Sequence, residues 1–177
     1  MRARNLLAIP AFLFVCFTVA AADSVPKSAH ADILNAQGTK IGTARITSIS
    51  GGGVRIAVKV GQLPPGSHGI HIHAVGKCDA PDFKTAGGHF NPTNAHHGVN
   101  NAENPHPHAG DLPNLTVGAN GKGSASLVAK DVTLGDGANS LFHDGGTSLV
   151  IHAKADDLMS DPSGNSGDRI ACGVIEK

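Results

Sequence analysis

The stretch Val54-Arg55-Ile56-Ala57-Val58-Lys59-Val60 decides the fold class. Valine or isoleucine stands at every second position, with Arg55, Ala57 and Lys59 between, so one face of the segment is apolar and the other polar. A period of two is the signature of a half-buried strand. Gly51, Gly52 and Gly53 lead into it as a turn. Upstream, residues 40–48 read as a strand, and residues 31–36 as another beyond the Gln37-Gly38 turn. Downstream, further strand runs fall at 69–73, 115–119, 124–133, 148–153 and 170–175. No window carries a helical period, so the expected fold is all-β: short antiparallel strands in a sandwich or barrel. Residues 74–113 lack any periodicity. A loop of that length survives in a compact domain when something orders it.

The first 22 residues stand apart. Arg2 and Arg4 open the chain, Leu6 through Ala20 is nearly all apolar, and Ala20 and Ala22 supply small residues just before Asp23. This is the pattern of a cleaved secretory signal peptide, and its apolar run is too short for a spanning anchor. A lipid-anchored reading of Cys16 would need a small residue where Val15 stands. The expected organisation is therefore a signal peptide at 1–22, a short tail at 23–30 and one domain at 31–177. Removing the signal leaves roughly 155 residues, enough for a single core. It also takes Arg2 and Arg4 from 14 basic residues against 14 acidic ones, leaving a charge near −2. With no basic stripe and no Trp or Tyr, nucleic acid is not an expected partner. Nor is a membrane after signal cleavage. Of three cysteines, Cys78 and Cys172 remain, and an even pair in an exported chain reads as a disulfide. Closing that loop of about 95 residues contributes roughly 4–5 kcal/mol on chain-entropy grounds.

Histidine is the residue in excess, with 11 in 177 positions. GIHIH supplies His71 and His73, AGGHFNP supplies His89, and LVIHAK supplies His152. On strands, residues two apart share a face. His71 and His73 therefore point one way while Ile70 and Ile72 point into the core. Val150 and His152 likewise point outward, opposite Leu149 and Ile151. Four imidazole nitrogens suit the tetragonal preference of Cu(II). A second group combines His89 with HHG, HPHAGD and Asp111, and nitrogen donors plus one carboxylate suit closed, tetrahedral zinc. Spacing alone leaves His96 or His97, and His106 or His108, as alternatives.

In the order and near-spacing of GIHIH, AGGHFNP, HAGDLPNL, LVIHAKADD and GDRIACGVI, the chain resembles the copper–zinc superoxide dismutases from Ala31 to the C-terminus. The resemblance implies an eight-stranded antiparallel Greek-key β-barrel, immunoglobulin-like in its sandwich, with metals held outside it by two long loops. It implies copper on His71, His73, His89 and His152, and zinc on His89, His97, His108 and Asp111. Asp156 matches the carboxylate that links the two metal sites. Cys78 and Cys172 match the family disulfide. Superoxide is the implied substrate, with oxygen and hydrogen peroxide as products and antioxidant defence as the role. His89 and Arg169 are the implied catalytic residues: His89 frees and protonates one nitrogen each cycle, and Arg169 receives the small anion.

Two departures separate this chain from the animal cytosolic pattern. The segment 155–168 holds Asp161 and Asp168 but no lysine, so steering of superoxide would fall to Lys59, Lys77 or Lys84. Cys78 follows His73 by only five residues, and an insertion precedes AGGHFNP. Both features resemble the bacterial exported branch, so a periplasmic or secreted location is expected. They also make the eukaryotic homodimer a poor template for any dimer here. Rival readings are a non-catalytic, chaperone-like copper module of the same fold, a zinc hydrolase, and a copper-only variant. The complete donor set and Arg169 argue against each.

Overall fold

The computed structural model describes residues 28–103 and 106–177. The signal-peptide reading of residues 1–22 lies outside them. Nine strands form one antiparallel sheet: β1 (Ser28–Asn35), β2 (Lys40–Ser48), β3 (Val54–Val60), β4 (Gly66–His68), β5 (Ile70–His73), β6 (Leu115–Val117), β7 (Gly123–Ala129), β8 (Ser148–His152) and β9 (Arg169–Val174). Among the described residues the only helix is a 3-10 turn, Lys84–Ala86. No helix among them is long and apolar enough to cross a membrane.

The founding stretch behaves as its alternation requires. Val54, Ile56, Val58 and Val60 are buried and the residues between them exposed. It pairs in unbroken register with β2 on one side and β7 on the other. The sheet order is β4-β6-β7-β3-β2-β1-β9-β8-β5. Two jumps, from β3 to β4 and from β7 to β8, cross the ends of the barrel in Greek-key fashion. The expected all-β barrel is thus present.

Its ninth strand has a local cause. The run 66–73 divides at Gly69, and its halves pair with opposite edges of the sheet, β4 with β6 and β5 with β8. Gly69 donates to Lys154 O at 2.7 Å and accepts from the His152 amide at 2.8 Å. Counted as one bent strand, the run joins both edges and nearly closes the barrel. Inside sit Ile33, Ile46, Ile56, Ile70, Ile72, Leu115, Leu149 and Ile151, all fully buried. Each such side chain contributes about 1.5–3 kcal/mol through removal from water.

The outer wall of β5 and β8 departs from simple alternation, since every residue of both strands is buried. The long loops cover it. A second, smaller core packs Phe83 and Ala86 of the first loop against Val150 and Cys172, with Cys78 alongside. The Cys78–Cys172 disulfide staples the loop to β9 there. Where a solvated face would have left the histidines wet, this lid makes their surroundings dry.

Candidate metal centre

The free edge of β5 delivers the site. Two arms of the loop 74–114 hydrogen-bond along it: Phe90 N–H donates to Ile72 O at 2.8 Å, Ile72 N–H to Gly110 O at 2.9 Å, and Ala74 N–H to Gly88 O at 2.9 Å. His73 thereby lies opposite His89, and His71 opposite Asp111. An edge that would otherwise be an open template is covered, and the covering strips carry the loop's donors to the strand's.

Donor atoms converge in three groups, each within 4.8 Å: His71, His73, His89 and His152; His89, His97, His108 and Asp111; and His71, His97 and Asp156. His89 belongs to the first two, Asp156 joins one histidine of each, and all lie in one small volume. His96 and His106 are exposed and belong to none.

The hydrogen bonds reveal which nitrogen of each ring is free. His73 Nδ1 lies 2.9 Å from Gly87 O, and His152 Nδ1 lies 3.1 Å from Gly167 O. A carbonyl only accepts, so each Nδ1 carries the proton and leaves a lone pair on Nε2. His71 is turned the other way: its Nε2 lies 2.7 Å from Asp156 Oδ2, which frees Nδ1. The freed atoms, His71 Nδ1, His73 Nε2 and His152 Nε2, are buried without a hydrogen-bond partner, and so is His89 Nε2. Buried polar atoms are rarely left unpaired. Four that face one another are explained by a cation between them.

The other nitrogen of His89 faces the second group. His89 Nδ1 is 2.9 Å from Asp111 Oδ1 and 3.4 Å from His108 Nδ1. His97 Nδ1 is 3.0 Å from the same carboxylate oxygen. The second carboxylate oxygen of Asp111 accepts from the Gly98 and His108 amides, which fixes its plane. Histidine nitrogen and aspartate oxygen are both zinc ligands, and three of the first with one of the second complete a tetrahedral set.

Electrostatics divide the two groups. Burial, reinforced by the neighbouring imidazole His89, pushes His73 down to about 2. Burial is also the main cause that lowers His89 to about 4 and His152 to about 3. These rings are held neutral, as a metal ligand must be. For His97 burial also pulls downward, but the hydrogen bonds to Asp111 and Asp156 outweigh it and raise the ring to about 9. Burial likewise works to raise Asp111, yet the bonds from His108, His89 and His97 hold it far below the carboxylate range.

Asp156 spans the groups, with Oδ2 on His71 and Oδ1 3.0 Å from His97 Nε2. Its own placement comes from Asn114, which donates to Asp156 O and accepts from its amide, both at 2.8 Å. Sequence reasoning passed over Asn114, although it lies within the quoted HAGDLPNL; a lone amide entering an apolar strand was the available signal. Gly164 is a second omission. It adopts φ +61°, and a Cβ there would overlap Asp156 Oδ1.

Arg169 stands at the mouth. Nη1 donates to Phe83 O at 2.8 Å and Nη2 to Gly87 O at 2.6 Å, so Gly87 O holds both the guanidinium and His73. The guanidinium lines a cavity of about 380 Å³ with His73, His89, His152, Pro162 and Ser163. A cation fixed by two carbonyls therefore shares one cavity with His73, His89 and His152.

The barrel, the two loops and the donor groups define a class: a β-barrel protein with histidine-rich groups on its outer wall able to hold metal ions. The sequence pattern of the family described as copper/zinc superoxide dismutase matches residues 40–175. Superoxide dismutase [Cu-Zn] 1 of Aquifex aeolicus is 50% identical over 149 residues, covering 83% of this chain and 86% of that protein. A SOD-like protein from Bacillus subtilis has a crystal structure with TM-score 0.78 and 43% identity, covering 82% of this chain and 96% of that one. For the Cu/Zn superoxide dismutase from Brucella abortus the values are 0.66 and 32%, with 84% and 99% covered. The chain belongs to the copper/zinc superoxide dismutase family. Copper and zinc are the cofactors this membership and the donor groups imply.

Proposed function

We propose that the protein dismutates superoxide at a centre in which His89 joins a copper site (His71, His73, His89, His152) to a zinc site (His89, His97, His108, Asp111). The observation that carries this reading is the set of four buried, unpartnered imidazole nitrogens facing one another, one of them on a ring whose other nitrogen meets Asp111. Copper in that set would supply one-electron transfer in both directions, and zinc a fixed charge without redox chemistry.

The chain's own residues do the rest. Arg169 binds the anion and orients it toward His73, His89 and His152, since its guanidinium is charged at all relevant pH values and pinned by two carbonyls. His89 Nε2 accepts a proton and returns it to the reduced product, while Nδ1 stays with the Asp111 group. Asp156 fixes His71 and His97, so the two donor sets keep a constant spacing while His89 works. Phe83, Ala86 and Val150 exclude water behind the site. Two superoxide anions and two protons thus leave as one oxygen and one hydrogen peroxide. With residues 1–22 removed as a leader, this work is antioxidant defence in the periplasm or outside the cell.

The rival reading, a copper-holding module without turnover, draws on the Bacillus subtilis relative, which is described only as like a superoxide dismutase. Complete donor groups, together with an Arg169 that shares a cavity with His73, His89 and His152, favour catalysis here. Elemental analysis of the purified protein, paired with superoxide consumption, tests the choice. One copper, one zinc and fast consumption are expected. Copper without zinc, or both metals without consumption, would overturn the reading.

A further inference from the structure

Asp161 belongs to neither donor group, yet its carboxylate holds the second loop against the first. Oδ1 accepts the His97 backbone N–H at 2.6 Å, and Oδ2 pairs with His96 Nδ1 at 2.7 Å. The His97 side chain is completely buried, whereas Asp161 and His96 are about half exposed. The next two residues, Pro162 and Ser163, form part of the cavity wall shared by His73, His89, His152 and Arg169. One carboxylate therefore connects the backbone of a residue in the Asp111 group to the rim of the anion cavity.

We propose that Asp161 is a positioning residue, which aims His97 into its donor group and holds the Pro162–Ser163 rim in place. The physical reason lies in the His97 amide. Asp161 is its acceptor, and no other acceptor for it stands among the described residues. A partly buried N–H stripped of its partner shifts until it finds water, and the ring moves with it. An exposed ion pair would contribute little by itself. The His97 bond is what gives this carboxylate its leverage, and His96 serves mainly to orient it. Other contacts run parallel: Asn100 N–H donates to Leu158 O at 2.9 Å, and Asn101 Nδ2 to Met159 O at 3.1 Å. Those tie down the start of the second loop. Asp161 ties down the part that borders the cavity.

This inference rests on the assignment of His97 to zinc, so its test separates the two. Asp161→Ala and Asp161→Asn are compared with the parent protein in three measurements. These are hydrogen exchange at the His97 amide in the metal-free protein, zinc release to a chelator from the metal-loaded protein, and the visible spectrum of bound copper. Asparagine keeps an oxygen for the His97 amide and alanine does not. The expected result is His97 amide exchange at least tenfold faster in Asp161→Ala, zinc release accelerated to a similar degree, rescue of both by Asp161→Asn to within about threefold, and an unchanged copper spectrum. Unchanged amide exchange in Asp161→Ala would overturn the positioning role, whatever metal is bound. Equal loss in the alanine and asparagine variants would do the same, by pointing to charge rather than the hydrogen bond. Faster His97 amide exchange in Asp161→Ala, alongside a parent protein that binds no zinc, would leave the latch standing and refute the zinc assignment instead.

Discussion

At the scale of single residues, the centre depends on which nitrogen of each ring is left free. His71 offers Nδ1 because Asp156 takes its Nε2, while His73 and His152 offer Nε2 because backbone carbonyls take their Nδ1. His89 offers both nitrogens, one to each group. His89→Ala is therefore expected to lower turnover by at least about a hundredfold, the low end of what a positioned proton donor contributes. The loss should exceed any drop in thermal stability; parental turnover with both metals still bound would contradict it. Arg169 touches no donor atom, so Arg169→Ala should leave metal content intact and slow the reaction about tenfold, within the range attributed to steering of charged ligands. Competition by small anions such as azide should weaken in parallel. An unchanged rate and an unchanged response to salt would remove Arg169 from the mechanism. The sequence made these residues visible as types. It left His96 and His97 equivalent until the resemblance separated them, because the ring that turns inward is chosen by backbone contacts as remote as Asp161.

At the scale of elements, two loops convert a barrel wall into a buried site. The first docks along the β5 edge and the second closes over it through Asp156, Asn114 and Asp161. Gly164 shows how tightly the second loop is fitted. Its φ of +61° suits glycine, and a methyl group there would collide with the Asp156 carboxylate and approach His97 Nε2. Gly164→Ala should displace Asp156 and lower metal affinity about 10- to 100-fold, the range for loss of a residue that orients a ligand. Titration with a competing chelator measures this, and parental affinity would show that the loop yields without moving Asp156. Strand positions were legible from alternation, with 40–48 and 54–60 matching the observed limits. The covering of β5 and β8 was not. Alternation records only that a side chain points away from the core, and it cannot say whether water or a loop lies beyond.

At the scale of the whole molecule, the buried imidazoles set the pH range of stability. His73, His89 and His152 lie at about 2, 4 and 3 when folded, below the ordinary histidine value of 6.5. In the metal-free protein the unfolded chain therefore binds more protons than the folded one as pH falls below about 6.5, and stability drops with it. Asp111 and Asp156, held low by their histidine partners, add to the same trend at lower pH. His97, raised to about 9, works the other way, contributing stability below pH 6.5 that is lost as pH rises through 9. Three lowered rings against one raised ring predict a thermal midpoint several degrees lower at pH 4.5 than at pH 7, at roughly 2–4 °C per kcal/mol for a domain of this size. A flat profile over that interval would show that these rings titrate alike in both states. By itself the sequence determined the strand class, the cysteine pair and the inventory of donors, because period-two alternation and residue chemistry are local properties. Only the tertiary structure decided how Gly69 closes the barrel, which ring nitrogens are free, and how Asn114, Asp161 and Gly164 position Asp156 and His97. Several of those outcomes depend on contacts between residues 42 to 85 positions apart in the chain, and no local pattern encodes them.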